Sequence, residues 1–353
     1  MPMNLEDKLV VAVSTSAVFD MREEHSVFER SVTEYRKLQL DRLNVAAAPG
    51  PAFRMVKKLL AFNGDGEHRV EVVFLSRNDC VSGQRAFESA QHHGLDISRG
   101  VFTCGRSPFE YLKPLRAAVF LSVHEQDVRG AISAGFPGAL SYQSERQADD
   151  LNPNELRIAF DGDGVLFSDE AERVFQSEGL KEFHRSEDAA RAIPLQPGPL
   201  KVLLHALHRI QKRPPAAIPM RIRTSLVTAR NAPAHKRAIQ TLMNWGVEVD
   251  EAMFLGGLPK HEFLAVFQPD LFFDDQDVHL KDATQVAPGA KVPYGVASGN
   301  NLTVTSPAQQ PLLSVPAASP PEFEITVSSL DPKPSESSPS GDSEGSMTHQ
   351  AQS

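Results

Sequence analysis

The sequence has 353 residues, of which 41% are hydrophobic, and its formal net charge is −9 at pH 7. This length and composition suffice for one large hydrophobic core or two of ordinary size. The acidic balance argues against nucleic-acid polymers and anionic membranes as main partners, because both attract basic surfaces. A small anion can still bind locally.

The cysteine count and the N-terminal segment indicate the compartment. Cys80 and Cys104 are too few for a disulfide framework or a zinc cluster, and we expect both to be small core residues in a reducing compartment. The first apolar run, LVVAV, is too short for a signal peptide or a membrane span. We therefore predict a cytoplasmic protein without a membrane partner.

Short apolar runs alternate with helical patterns along most of the chain. The runs are VVAVS, VEVVFLS, AAVFLS, RIAFD, RTSLVTA and LFFDD. Between them lie candidate helices such as Leu200–Lys212, whose apolar residues recur every three or four positions. Alternation of this kind is typical of a largely parallel sheet with helices on its faces, so the predicted fold class is α/β.

Four pairs of similar segments occur in the same order at offsets of roughly 150 residues. The pairs are SVFERSVTEY and RVFQSEGLKEF, APGPAF and QPGPLK, VVFLSRND and SLVTARNA, and FEYLKPLRAAVFLS and HEFLAVFQPDLFFD. Any two strand–helix units can look alike once, but four ordered pairs favour a tandem duplication. We predict two related α/β halves, residues 1–150 and 151–296.

The two halves differ in charge at matching positions. In these alignments the second half carries four carboxylates and a lysine where the first has uncharged residues: Asp161 on Ser14, Asp163 on Ser16, Lys260 on Pro108, Asp274 on Ser122 and Asp275 on Val123, while Thr228 falls on Ser76. A carboxylate pair needed only to end a strand would be expected in both halves. The difference therefore favours a chemical role in residues 151–296.

Polar side chains follow three of the predicted strands in that half. Asp161 comes after RIAF, Thr228 after SLV, and Asp274 with Asp275 after LFF. Because the carboxyl ends of parallel strands meet at one edge of a sheet, we expect these side chains to share one rim. Lys260, in the loop FLGGLPK that enters a helix, can reach the same place.

Carboxylates crowded on one rim repel each other unless they share a cation, and an all-oxygen ligand set suits Mg²⁺. The predicted Mg²⁺ site consists of four carboxylates, those of Asp161, Asp163, Asp274 and Asp275. Whether Asp275 coordinates directly or supports another ligand stays open. The cation and Lys260 would neutralise a phosphate to which Thr228 donates a hydrogen bond, so we expect a phosphoryl substrate group.

The spacing of the first two carboxylates suggests a division of roles. Asp161, at the strand end, would attack phosphorus and form an aspartyl-phosphate. Asp163 lies past a turn that Gly162 and Gly164 permit, where it would protonate the leaving oxygen and then activate water. Arg230 and Asn231 are candidate substrate contacts, with capping of the following helix as the alternative.

The segments DGDGVLFSDE, VTARN, GGLPK and FFDDQ, in this order, resemble the four motifs of the haloacid dehalogenase (HAD) phosphatases. The wider match, which includes NWGVEVDEAMFLGGLPK, LFFDDQDVH and VPYGVA, resembles the type I cytosolic 5′-nucleotidases up to about residue 296. This resemblance implies a HAD-like Rossmannoid sheet, a small cap at about 167–195, dependence on Mg²⁺, and hydrolysis of AMP and related monophosphates. Stimulation by ADP is a further family trait, for which no motif locates a site.

The resemblance also implies roles for single residues. Asp161 matches the nucleophile, Asp163 the acid/base, Thr228 the hydroxyl of the second motif and Lys260 the lysine of the third, while Asp274 and Asp275 match the metal-binding pair. Two alternatives stay open: a HAD phosphatase for another small phosphate ester, and a nucleotide-sensing or scaffolding protein without activity. The sequence leaves a homo-oligomer open as well.

The composition changes abruptly after residue 296. Residues 297–353 are rich in Ser and Pro and poor in aromatic residues. Such a segment cannot bury enough apolar surface to offset the entropy of ordering it. We therefore predict a disordered tail.

Overall fold

One ten-stranded sheet runs through the described part of the protein, residues 4–144, 150–215 and 217–296 of a computed structural model. The predicted tail at 297–353 lies outside the described residues. No helix in the described ranges combines the length and the apolar character needed to cross a bilayer.

Strands and helices alternate in the first half. They are β1 (Leu9–Val13), α1 (Thr15–Val18), α2 (Arg22–Phe28), α3 (Val32–Asp41), α4 (Phe53–Ala61), β2 (Val70–Ser76), α5 (Cys80–His92), β3 (Arg99–Phe102), α6 (Leu112–Leu115), β4 (Val119–Ser122), α7 (Glu125–Ser133) and β5 (Gly138–Tyr142). A short 3-10 turn, Phe109–Tyr111, leads into α6.

The second half continues the alternation. Its elements are β6 (Glu155–Phe160), α8 (Glu170–Glu178), α9 (Leu180–Ala189), α10 (Lys201–Lys212), β7 (Arg221–Thr228), α11 (His235–Trp245), β8 (Glu251–Phe254), α12 (Lys260–Phe267), β9 (Leu271–Asp274), α13 (Asp277–Ala283) and β10 (Gly289–Lys291). Helix α10 confirms the helix predicted at Leu200–Lys212. Helices α8 and α9 occupy the segment predicted as a cap.

The strand order is β3-β2-β1-β4-β5-β10-β9-β6-β7-β8. Each half therefore has the same internal order, since β8-β7-β6-β9-β10 repeats β3-β2-β1-β4-β5. Neighbouring strands within each half are parallel, and the halves join through the antiparallel pair β5 and β10. The α/β, mostly parallel fold is confirmed, while the duplication stays a prediction that this order supports. The antiparallel join also places the carboxyl ends of the two sets of strands at opposite edges of the sheet.

A repeated Pro-Gly turn precedes α4 and α10. Pro49 bridges to Phe19 in the first half, and Pro197 bridges to Phe167 in the second. Glycine follows each proline because the backbones approach closely: a Cβ on Gly198 would lie 2.4 Å from the carbonyl oxygen of Phe167. The shared APGP and QPGP letters thus specify one local structure twice.

Apart from the edge strands β3 and β8, the strands are largely buried on both faces, and the side chains of β6 alternate between two cores. In β6, Leu156, Ile158 and Phe160 belong to a large core that both halves share, whereas Ala159 belongs to a smaller core on the other face. This burial explains the nearly continuous apolar strand sequences. The prediction that the cysteines are core residues is wrong, because Cys80 and Cys104 are both exposed.

A buried lysine ties the halves together. Lys58, on α4, has a side chain only 6% exposed, and its ammonium lies 3.0 Å from Asp270 and 2.9 Å from Asp150. It also donates to the backbone carbonyls of Asn152 and Glu155, each at 2.9 Å. The first half thus supplies a cation to the base of the second.

We predict that Lys58→Met lowers the free energy of unfolding by about 3 kcal/mol, the low end for breaking a buried ion pair. The low end applies because Arg54 still lies 3.1 Å from Asp270. Urea unfolding measures this change. Lys212→Met is the matched control, since its partner Glu248 is a surface residue. Equal free energies of unfolding for the two variants would show that the Lys58 contacts between the halves do not stabilise the protein.

Candidate active site

The turn after β6 places Asp161 at the floor of the candidate site. The Asp161 amide donates to the Phe273 carbonyl at 2.8 Å, which extends the pairing of β6 with β9 by one residue. The amides of Leu166 and Phe167 then both donate to the Gly162 carbonyl, at 3.0 and 2.9 Å, and close a tight turn. Asp161 is consequently fixed next to β9 and is only 5% exposed.

Strand register brings the second acidic pair to the same place. Phe160 of β6 is paired with Phe273 of β9, so the next residues along the two strands, Asp161 and Asp274, are neighbours. One oxygen each of Asp161, Asp274 and Asp275 lies within 4.8 Å of the others, and all three residues are buried. The structure thus brings together three of the four predicted carboxylates.

Lys260 lies among these carboxylates, at the first position of α12. Its ammonium is 2.9 Å from Asp161 Oδ1 and 2.6 Å from Asp274 Oδ2, and the residue is 4% exposed. The loop before it turns through Gly256 and Gly257, whose φ angles are 58° and 92°. Glycine permits these left-handed conformations and so permits the chain to aim Lys260 at the rim.

Burial and mutual repulsion shape the titration of the site. Burial raises the pKa of Asp161 to about 6, with Lys260 opposing and Asp274 adding to the rise. Burial, and then the charges of Asp161 and Asp274, raise the pKa of Asp275 to about 9. Burial would also raise the pKa of Asp274, but contacts with Lys260 and His279 outweigh it and hold that pKa below its usual range. The carboxylates in turn raise the pKa of Lys260 despite its burial.

These residues fit a divalent cation. Three buried carboxylates around one ammonium leave an excess of negative charge when all are ionised, and this repulsion adds to the burial that raises the pKa values of Asp161 and Asp275. Hard carboxylate oxygens at this spacing are the ligands that Mg²⁺ prefers. The side chains that would hold the ion are those of Asp161, Asp274 and Asp275.

Asp163 lies beside this group but faces a different partner. Its carboxylate accepts from Arg230 Nε and Nη2, each at 2.7 Å, which is a bidentate ion pair. The carboxylate of Asp163 is therefore not one of the three that meet at the candidate metal position. Its predicted metal contact stays a prediction without support from this geometry.

The predicted substrate-binding residues lie at different depths. Thr228 ends β7 and is 1% exposed, and its hydroxyl is the nearest atom, at 3.1 Å, to a Cβ built on Gly162. Asn231 is half-buried, and its amide oxygen Oδ1 accepts from Nε2 of His184 on α9 at 3.0 Å in the tautomer that carries the proton there. The Arg230 side chain is 1% exposed and is engaged by carboxylates, so the structure gives it no open face toward a substrate.

Sequence reasoning missed two residues that hold site groups in place. His279 Nδ1 lies 3.2 Å from Asp274 Oδ2, and its spacing in FFDDQDVH, five residues after Asp274 in the first turn of a helix, was an available signal. Glu187 of α9 contacts Arg230 and is 2% exposed. No local pattern marks Glu187, because its partner is 43 residues away in the chain.

Comparison with known proteins identifies the family. The family described as 5′-nucleotidase matches residues 1–299, and the chain belongs to this family. It is 35% identical to human cytosolic 5′-nucleotidase 1B over 306 residues, which are 83% of this chain and 50% of that protein. The chain thus spans half the length of that relative. No solved structure matches the chain. The family predicted from the motifs is confirmed.

We predict that Gly164→Ala weakens Mg²⁺ binding by about tenfold or more, in the range for disturbing groups that support metal ligands. Gly164 has φ +80°, and an added Cβ would lie 2.4 Å from Asp275 Oδ2, so the carboxylate must shift. The measurement is the Mg²⁺ concentration needed to raise the melting temperature.

Gly246→Ala is the matched control for that experiment. Gly246 also has a positive φ, +66°, but nothing lies within 4 Å of an added Cβ. Both variants lose about 1 kcal/mol of stability from left-handed backbone. Only Gly164→Ala should change the Mg²⁺ response, and equal responses in the two variants would contradict the assignment of Asp275 to the site.

Proposed function

We propose that the protein is a Mg²⁺-dependent 5′-nucleotidase that hydrolyses nucleoside 5′-monophosphates, with AMP preferred, to nucleoside and phosphate. The observation that carries the proposal is the buried group of Asp161, Asp274, Asp275 and Lys260 at the carboxyl edge of a parallel sheet. Membership of the 5′-nucleotidase family supports the reaction class. The name of the human relative supports cytosolic placement, which we propose for this chain too.

In the proposed reaction, Asp161 attacks phosphorus and the bond to the nucleoside oxygen breaks, which leaves an aspartyl-phosphate. Asp163, which must be protonated before this step, donates that proton to the departing oxygen. It then takes a proton from the water that cleaves the intermediate, so it ends as it began. Bound Mg²⁺ would supply electrostatic neutralisation of the phosphate and of the attacking carboxylate.

Lys260 and Thr228 would bind the phosphate oxygens during both steps. Lys260 already contacts Asp161, so its ammonium lies beside the atom that attacks phosphorus. A charged donor at that place stabilises the negative charge that develops in the transition state. The Thr228 hydroxyl lies beside the Gly162 backbone, where it can donate to the same group.

The preference for AMP and the stimulation by ADP are implied by the resemblance to the type I cytosolic 5′-nucleotidases, and we assign no residue to either. The formal net charge of −9 argues against nucleic-acid polymers and anionic membranes as main partners, and a small anion can still bind locally.

A panel of phosphate esters, assayed with Mg²⁺ and with EDTA, tests reaction, metal and substrate together. We expect the highest kcat/KM for AMP among nucleoside monophosphates, sugar phosphates and lipid phosphates, and loss of turnover in EDTA that Mg²⁺ restores. A sugar or lipid phosphate that ranks first would favour a HAD phosphatase of different specificity. Absence of phosphate release with every ester would favour a sensing or scaffolding protein.

Asp161→Asn is the control for the panel. The amide keeps the size of the side chain but cannot act as the nucleophile, so turnover should vanish while circular dichroism shows an unchanged fold. Retained turnover in this variant would contradict the covalent mechanism without contradicting the reaction class.

A further inference from the structure

A largely buried network of alternating charges extends from Asp163 to the helices α8 and α9. Arg230 binds Asp163 on one side, and its Nη1 donates to Glu187 Oε2 on the other. The second oxygen of Glu187 accepts from Arg237 Nη1 at 2.7 Å, and Arg237 Nη2 lies 2.6 Å from Glu170 on α8. The charge network thus connects the turn after β6 with both helices of the segment predicted as a cap.

The central residues of this charge network are buried. The side chains of Arg230 and Glu187 are 1% and 2% exposed. Charges buried to this extent are tolerated only when nearly all their hydrogen-bonding positions are used. Arg230 meets this condition through Asp163, Glu187 and the carbonyl of Ala234 at 3.3 Å. The guanidinium is therefore held on several sides and is not a group that moves to meet a substrate.

Further contacts show that Arg230 and the next residue pack against α9. The guanidinium carbon lies 5.6 Å from the centre of the Phe183 ring, on the same helix as Glu187. One residue further along both segments, His184 Nε2 is 3.0 Å from Asn231 Oδ1. Helix α9 thus touches the loop after β7 at two adjacent residues. A displacement of α9 would move the group that orients Asp163.

We propose that Arg230 is a positioning residue for Asp163 and that Glu187 anchors Arg230 to α9. The carboxyl group of Asp163 is therefore aligned for proton transfer only while α9 packs against the loop after β7. The proposal rests on the proposed function, in which Asp163 transfers the proton. The two parallel hydrogen bonds from a guanidinium fix both the position and the plane of the Asp163 carboxylate. A lysine ammonium is a point charge, and it does not fix the plane of a carboxylate. A lysine at position 230 cannot hold Asp163 bidentately and reach Glu187 as well.

The test compares Arg230→Lys with wild type using AMP and p-nitrophenyl phosphate. AMP needs a proton for its departing alkoxide, but the phenolate of p-nitrophenyl phosphate departs without one. For Arg230→Lys we expect kcat for AMP to fall by about 10- to 100-fold without a rise in KM. The first turnover of p-nitrophenyl phosphate stays within a few-fold of wild type and is followed by slow turnover, because cleavage of the aspartyl-phosphate still needs Asp163.

Two further variants complete the comparison. Arg185→Lys is the matched control, since Arg185 makes a bidentate pair with Glu182 on the exposed face of α9, and it should retain wild-type kinetics. Glu187→Gln keeps the shape of the anchor but removes its charge, and should lower kcat for AMP in the same direction by a smaller factor. The burst of nitrophenolate counts active sites, so partial unfolding of a variant does not mimic slow chemistry.

Three results would overturn the proposal. Wild-type kcat for AMP in Arg230→Lys would show that orientation by Arg230 does not matter. Equal loss with both substrates in the first turnover would indicate a merely structural role, and a raised KM with unchanged kcat would make Arg230 a substrate contact. Wild type inactive toward every ester would instead defeat the proposed function, so the two failures are distinguishable.

Discussion

Three buried carboxylates share one ammonium in the second half of this protein, and most of the local structure follows from that imbalance. Two unit charges 4 Å apart interact by about 4 kcal/mol at the effective dielectric of a protein surface, so Lys260 cannot offset the mutual repulsion of Asp161, Asp274 and Asp275. Burial, and then the charges of Asp161 and Asp274, raise the pKa of Asp275 to about 9. In the proposed function, a divalent cation would neutralise the excess negative charge and would prepare the site for the phosphate group of a substrate.

Both halves of the described sheet have the strand order that creates this crowding, but only the second half carries the charges. Both halves have the same strand order and the same Pro-Gly turn before the helix that follows. Where the second half has Asp161, Thr228 and Asp274 at its strand ends, the first has serine. The first half therefore supplies five strands of the sheet and, through Lys58, a cation that contacts Asp270 in the second half. This division favours a structural contribution of residues 1–150 to the candidate site.

The sequence predicts those features that depend on local pattern and on general rules of parallel sheets. Apolar runs mark the strands, and because strand ends collect at one edge, Asp161, Lys260 and Asp274 were expected together and lie together. Features that depend on pairing between distant segments escape it. The antiparallel join of β5 to β10 has no signature in either short strand. Arg230 has a motif position that suggests phosphate or ribose, yet its partners are decided by where α9 packs.

The central claim, that one ion neutralises the three carboxylates, is tested most directly by anomalous diffraction from crystals of the protein grown with Mn²⁺ in place of Mg²⁺. We expect one strong anomalous peak within about 2.5 Å of an oxygen of Asp161 and of Asp274. A protein that binds no Mn²⁺ between these residues, in crystals that retain the fold, would contradict it.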